Sequence, residues 1–304
     1  MRIATLNVQN LRLRGSHLDG ARDGDVPGDT GPGARAIDWI DRRLTAALIR
    51  DADADLIVLQ EVFDADTLEH FHNHYLAPLG VTYPIRHCLP GNDGRGLDIA
   101  LLSRLPVTRI TSHATLTAGD TGVDPALGLD PDLPIFRRDC LQIDLPDLAL
   151  YACHFKAPYP DADVAWATRR AEAQSVRHLI ESHFPNPSIA RWLILGDLND
   201  PVDAPTGRNR AIAPLLPPFS ESLVDRLPPD RRWSYHQPRD HFYAAPDKLL
   251  ASPALAADNP DALPRILRHG MGFESTRYTG LRLPGTGEHR PHASDHALIH
   301  VDLD

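Results

Sequence analysis

Cysteine is scarce in this chain. The 304 residues contain three, Cys88, Cys140 and Cys153, widely spaced and with no C-x-x-C pair. That excludes a disulfide framework and a thiolate zinc site, and it reads as three reduced core residues. Long hydrophobic runs are missing too. None approaches the ~18 apolar residues that span a bilayer, and no apolar leader precedes the first strand, so the expectations are a cytoplasmic address and no membrane span. Positive charge is in deficit: 31 Lys and Arg stand against 41 Asp and Glu, a formal net charge of -10. Such a chain has no general basic footprint for nucleic acid, although a local basic face or bound divalent cations can still carry that contact. Aromatic residues make up 6%, too few for a stacking ladder. There is no internal repeat, low-complexity tract or linker, so one domain over 1–304 is expected.

What is present is a series of short apolar runs that end abruptly in polar residues. Trp192-Leu193-Ile194-Leu195-Gly196-Asp197-Leu198-Asn199 is the clearest, a buried strand with Asp197 and Asn199 at its tip. Arg2 to Val8 delivers Asn7 to a strand end, Asp55 to Glu61 delivers Glu61, and Leu148 to Phe155 delivers His154. Asp247 begins the short strand Asp247-Lys248-Leu249-Leu250-Ala251, and Ser294-Asp295-His296 precedes the last strand. Between these lie two amphipathic helices. One covers 34–50 with Ile37, Ile40, Leu44 and Leu48 inward. The other covers 164–184 with Val164, Trp166, Ala171, Val176 and Ile180 inward. The 28 prolines and 20 glycines mark many joints, with long loops at 15–33, at 118–134 and after Pro201. Hairpins mixed with strand–helix–strand units give an α+β layered fold, helices covering the outer faces of sheets.

Singly, each polar tip is a turn or a solvated strand end. Together they offer carboxylates, an amide and two histidines but no sulfur, a set that suits a hard cation such as Mg²⁺ or Mn²⁺, with Ca²⁺ as a further candidate. A histidine near its ordinary pKa of ~6.5 can move a proton at neutral pH.

In order and spacing, Thr5-Leu6-Asn7-Val8, Leu59-Gln60-Glu61-Val62, His154-Phe155-Lys156, Gly196-Asp197-Leu198-Asn199, Asp247-Lys248-Leu249-Leu250 and Ser294-Asp295-His296 resemble the endonuclease/exonuclease/phosphatase family of metal-dependent phosphoesterases. The resemblance covers the whole chain. It implies a four-layered α/β sandwich, two packed, mostly antiparallel sheets flanked by helices. It also implies a metal held by Glu61 with Asn7 and Asp295 beside it. Asp197 and Asn199 would then orient the attacking water. His296, oriented by Asp247, would be general base or phosphate clamp, and His154 would meet the phosphate from the other side or protonate the leaving oxygen. Histidine at 154 is closer to the pancreatic-type deoxyribonucleases and sphingomyelinases than to the apurinic endonucleases.

Arg95-Gly96-Leu97-Asp98 and the segment Phe136-Arg137-Arg138-Asp139, taken as a strand, resemble the bacterial extracellular-nuclease-like branch. In that setting Arg137, Arg138 and Lys156 are candidate phosphate contacts, and Asp98 is a candidate to orient His154. Lys248 departs from the branch, where an aromatic residue or arginine is usual. The expected activity is divalent-metal-dependent phosphodiester hydrolysis, with DNA as substrate and the basic stretch at 265–292 lining a groove for it. The alternatives are a phosphoesterase for a small molecule or lipid headgroup, and an inactive binding module. No obligate protein partner is evident.

Overall fold

The computed structural model describes residues 1–24, 26, 28, 29, 31–200, 209–239 and 241–304. Part of the loop expected after Pro201 therefore lies outside the described residues. Twelve strands build two sheets: β1 (Arg2–Leu11), β2 (Leu56–Val62), β3 (Ile85–Leu89), β4 (Asp98–Ser103), β5 (Arg109–Ser112), β6 (Cys140–Asp144), β7 (Ala149–His154), β8 (Trp192–Asp197), β9 (Glu221–Ser222), β10 (Asp247–Ala251), β11 (Arg265–Leu267) and β12 (Leu298–Asp302). The principal helices are α1 (Asp38–Ala52), α2 (Ala65–Phe71) and α3 (Ala162–His183).

The two sheets share one pairing plan. Sheet one runs β11-β12-β1-β2-β4-β3 and sheet two runs β9-β10-β8-β7-β6-β5. A single parallel pair lies at the centre of each, β1 with β2 and β7 with β8. All other pairs within the two sheets are antiparallel.

Period-two alternation explains the layers. On β1, Ala4, Leu6 and Val8 pack outward against Leu44, Leu48 and Ile49 of α1, while Ile3 faces the other sheet. Between the sheets, Val58, Leu101, Leu150, Leu193, Leu195, Leu249 and Ile299 interlock. On the far side, Tyr151, Cys153, Ile194 and Leu250 meet Ala171, Val176 and Ile180 of α3. The order helix, sheet, sheet, helix is the four-layered α+β sandwich that the resemblance implied.

Local chemistry sets the helix ends. Asp161 caps α3 by accepting from the N–H groups of Asp163 and Val164, and Asp64 caps α2 by accepting from Thr67 N, each cap worth about 1 kcal/mol. Three expectations are corrected. The helix expected at 34–50 is a short turn of helix at Pro32–Arg35 followed by α1, and the face of α1 also buries Asp41, Arg42 and Thr45. Val164, expected inward, is 54% exposed in the first turn of α3. Phe136 to Asp139 is not a strand, because β6 begins only at Cys140. Within the loop at 15–33, Asp19 and Ala21 are tied to α1: Arg42 donates to Asp19 O, and Ala21 N donates to Asp41.

Candidate active site

The inner-face alternation carries polar residues to one end of the sandwich. In β8 the series Leu193, Leu195, Asp197 points between the sheets, and in β7 the series Leu150, Ala152, His154 does the same. In the antiparallel β10 the series reads backwards, from Ala251 through Leu249 to Asp247. Register then places Asp197 directly opposite both His154 and Asp247. Gly196 makes this closeness feasible: at φ +127°, an added Cβ would lie 2.0 Å from Cys153 O. From the facing sheet, Asn7 at the inner tip of β1 donates to Asp197 and to Glu61, both at 3.2 Å.

Glu61 reaches the site by a local irregularity. Strict alternation would send it outward with Ile57 and Leu59. Instead it has φ +66°, and the pairing of β2 slips there, between Gln60 and Val62. This bulge turns the carboxylate into the cavity, where Asn10 N also donates to it at 2.9 Å. Gln9, Asn10 and Asn199 share the left-handed backbone. Such conformations cost on the order of 1–2 kcal/mol each for a side-chain-bearing residue, and here they gather around one cavity, as strain at functional sites does.

The site has a histidine–carboxylate pair. His296 Nδ1 lies 2.9 Å from Asp247 Oδ2, and Ser234 Oγ donates to the same oxygen at 2.6 Å. Burial opposes charge on His296, but Asp247, Asp295 and Asp197 outweigh it and push its pKa up to about 10. His154 goes the other way. Burial, with Arg138 and His296 nearby, holds it well below its ordinary value, so it is neutral. Its Nδ1 is buried without a partner. Asp98, a candidate to orient it, instead accepts from Gly91 N at 2.9 Å.

Burial raises Asp197 to about 6, with Asp247 adding to the shift and His296 opposing it. Asn199 braces Asp197: its backbone N–H donates to Asp197 Oδ1, and its side chain donates to Phe155 O. Burial also raises Asp295 to about 7, with Glu61 adding to the shift. Ser294 Oγ donates both to Asn7 O and to Asp295, linking that loop to β1.

Asn7, Glu61, His154, Asp197, Asn199, Asp295 and His296 line a cavity of about 240 Å³. Of the expected phosphate contacts, Arg138 lines it, 4% exposed and donating to Phe155 O. Arg137 and Lys156 instead line an adjoining groove of about 510 Å³, together with Arg95. Lys156 Nζ is engaged by the carbonyls of Ala157 and Tyr159. The basic stretch at 265–292 is largely spent inside the protein. Arg290 pairs with Asp29, Asp38 and Asp41, Arg268 and Arg282 donate to backbone carbonyls, and His292 is buried. Arg265 and Arg277 of that stretch remain exposed.

Ser234 and Tyr235 were not legible as site residues. They belong to a short hairpin, Tyr235–Gln237 with Phe242–Ala244, which is strapped to the site by Ala297 N donating to Ser234 O and His236 N to Asp295 O. The Tyr235 ring lies 4.8 Å from that of His296. Arg95 also lines the cavity; the sequence marked it only through the segment Arg95-Gly96-Leu97-Asp98, with no role assigned.

The donor set fits a hard divalent cation. Glu61 and Asp295 both line the cavity with carboxylates, and among the described residues neither has an ion-pair partner. Asp197, Asp247 and His296 also present ligand atoms within 4.8 Å of one another. There the charged His296 already bonds to Asp247.

The Endonuclease/Exonuclease/phosphatase family model matches residues 4–296. The chain belongs to that family. Its members are phosphoesterase hydrolases that depend on divalent metal. No curated protein matches the sequence. Among solved structures, truncated TDP2 of Caenorhabditis elegans is 15% identical with a TM-score of 0.56, over 99% of this chain and 96% of that one. A mannosyl-6-phosphatase of Bacteroides thetaiotaomicron is 13% identical with a TM-score of 0.57, over 100% and 99%. The 3′ phosphatase NExo from Neisseria, bound to product DNA hairpin, is 15% identical with a TM-score of 0.54, over 100% and 99%. At these identities the likeness shows the fold. No described helix is long and apolar enough to cross a membrane.

Proposed function

We propose that this protein is a metal-dependent phosphodiesterase, with Mg²⁺ or Mn²⁺ held by Glu61 and Asp295 beside Asn7, and with DNA as its substrate. The observation that carries this reading is Asp197 set in register between His154 and Asp247, near a His296 held by Asp247, to which Ser234 donates. The cation, when bound, supplies charge neutralisation for the phosphoryl oxygens. The chain's own residues do the rest. Asp197, ionised at neutral pH and braced by Asn199, orients the attacking water and accepts its proton. The positively charged His296 clamps a non-bridging oxygen, its tautomer and orientation fixed by Asp247. Neutral His154 contacts the phosphate from the opposite side with a nitrogen free to pass a proton. Arg138 faces the same phosphate, and Arg137 and Lys156 line the groove along which a longer substrate continues.

DNA as substrate is supported by the likeness to a DNA-bound phosphatase of the same fold. A second reading, a small phosphoester, is favoured by the narrow cavity, the net charge of -10 and the internal bonds of Arg268, Arg282 and Arg290. Incubating supercoiled plasmid and, separately, bis-p-nitrophenyl phosphate with EDTA, Mg²⁺, Mn²⁺ or Ca²⁺ separates the two. Metal-dependent nicking abolished in Asp197→Asn supports the nuclease. Hydrolysis of the small ester alone, with DNA intact under every condition, replaces it with the second reading.

A further inference from the structure

The ladder between β6 and β7 stops early. Its last pair is Cys140 with Cys153. Continued one residue at a time, it would place Arg138 opposite Phe155 and Arg137 opposite Lys156. Instead the two chains part like the prongs of a fork. A fully buried glutamate from the middle of α3 fills the gap: Glu172 Oε1 accepts from Arg137 N at 3.0 Å and Glu172 Oε2 from Lys156 N at 2.9 Å.

The other polar groups of the fork are satisfied in ways that require it to stay open. Phe155 N donates across to Asp197 O, and Phe155 O accepts from Arg138 Nη1 and Asn199 Nδ2. Lys156 O accepts from Arg169 Nη1, one turn before Glu172 on α3. Arg138 O and Phe136 O accept from Asn92. One prong carries His154 and Lys156; the other carries Arg137 and Arg138. Burial pushes the Glu172 carboxyl up to about 7, while both amides and the nearby Arg138 and Arg169 favour its ionised form. A buried carboxylate is costly, and an apolar residue facing α3 would let the strands zip together.

We infer that Glu172 is a positioning residue, a carboxylate wedge that sets the separation between the histidine prong and the arginine prong of the phosphate site. It rests on the phosphoester reading above. Glutamine at 172 has the same shape but turns an N–H₂ toward one of the two amide N–H groups, so one prong loses its acceptor. Aspartate keeps the charge but is too short to reach both.

The test compares Glu172→Gln and Glu172→Asp with Ser175→Ala, which removes a buried hydrogen bond to Thr121 from the same helix (2.9 Å in the native protein) without touching the fork. Each is assayed with bis-p-nitrophenyl phosphate and Mn²⁺, alongside Tm and the ¹⁵N resonances of the histidine rings. Displacing catalytic groups by about 1 Å costs on the order of 10²-fold. Glu172→Gln is therefore expected to lose about 10- to 100-fold in kcat/KM and to shift the His154 ring resonances, with Glu172→Asp between it and wild type. Ser175→Ala, at a matched loss of Tm, should stay within about twofold of wild type. Equal kcat/KM for Glu172→Gln and Ser175→Ala overturns the inference. A wild type that hydrolyses no phosphoester overturns the proposed function instead; the His154 resonances then decide, and an unshifted ring in Glu172→Gln rejects the wedge.

Discussion

The two sheets have the same strand order and the same central parallel pair, yet they furnish the cavity with opposite chemistry. Sheet one and the loop leading into β12 contribute Asn7, Glu61 and Asp295, two carboxylates and an amide. Sheet two and the segments flanking it contribute His154 and Arg138, with Arg137 and Lys156 in the groove beyond, and Glu172 and Arg169 of α3 brace them. Asp197, from sheet two, bonds to Asn7 of sheet one, and His296, from the sheet-one side, pairs with Asp247 of sheet two. In the proposed reading one wall would hold a cation and the other an anion, with the proton-handling groups at the seam. A pairing plan used twice thus fixes where the tips meet, while the residue at each tip decides what the meeting can do.

Removing the seam should have the largest effect. Asp197→Asn keeps the size of the side chain and its bond to Asn199 N, but it removes the proton acceptor, and hydrolysis should fall by about 10³–10⁴-fold, at the upper end for general base loss. Unchanged circular dichroism alongside that loss would place the defect in chemistry. Next comes His296→Ala, with an expected fall in kcat of about 10²–10⁴-fold. Near wild-type turnover in that variant would remove His296 from the mechanism and leave the seam to Asp197 alone.

The cation wall is tested by Glu61→Gln, which should raise the Mn²⁺ concentration needed for half-maximal activity by about 10- to 100-fold while leaving activity at saturating metal less affected. An identical metal titration would mean the two walls are not divided as described. Arg137→Ala probes the outer edge of the anion wall and should raise KM for DNA only about 2- to 5-fold, as befits an exposed phosphate contact, with little change for the small ester.

The smallest expected effect concerns stability. Burial, with His289 and Arg290 nearby, lowers His292 to about 3, and its Nε2 lies 2.9 Å from Gln9 Oε1 and 3.0 Å from Ala21 O. The unfolded chain takes up a proton at this histidine near its ordinary value of ~6.5, whereas the folded protein resists doing so until about 3. Stability is therefore full above ~6.5 and is lost as pH falls from there toward about 3. Thermal melts should show Tm dropping over that window, and His292→Gln should flatten the dependence. Metal-free protein with an unchanged slope in the variant would assign the acid sensitivity elsewhere.

Much of the candidate site was written in local sequence. Leu193, Leu195 and Asp197, or Leu150, Ala152 and His154, share a face because strand side chains alternate, so an apolar series ending in a polar residue points that residue off the edge of a core. The register sets Asp197 opposite His154 and Asp247 for that reason. Glu172 was invisible because one glutamate in an amphipathic helix reads as a solvated face; only the fork of β6 and β7 gives it two amides to serve. Ser234 and Tyr235 sit in a loop-rich stretch whose short hairpin has no strong periodicity. The arginines at 268–290 looked like a nucleic-acid surface because composition records charge but not its partners, and Asp29, Asp38 and Asp41 lie some 250 residues away from Arg290 in the chain.

Sequence alone, then, determined most of the central strands, the long helices and the polar residues near the strand ends, since each follows from a period of two or 3.6 and a local cap or turn. Tertiary structure decided the rest: which tips share a cavity, which arginines remain free to meet a phosphate, and how far His296 and His154 are driven apart in charge. Those depend on register, on a one-residue bulge at Glu61 and on burial among distant carboxylates. Each is a property of how separate segments come together, and no single segment carries it.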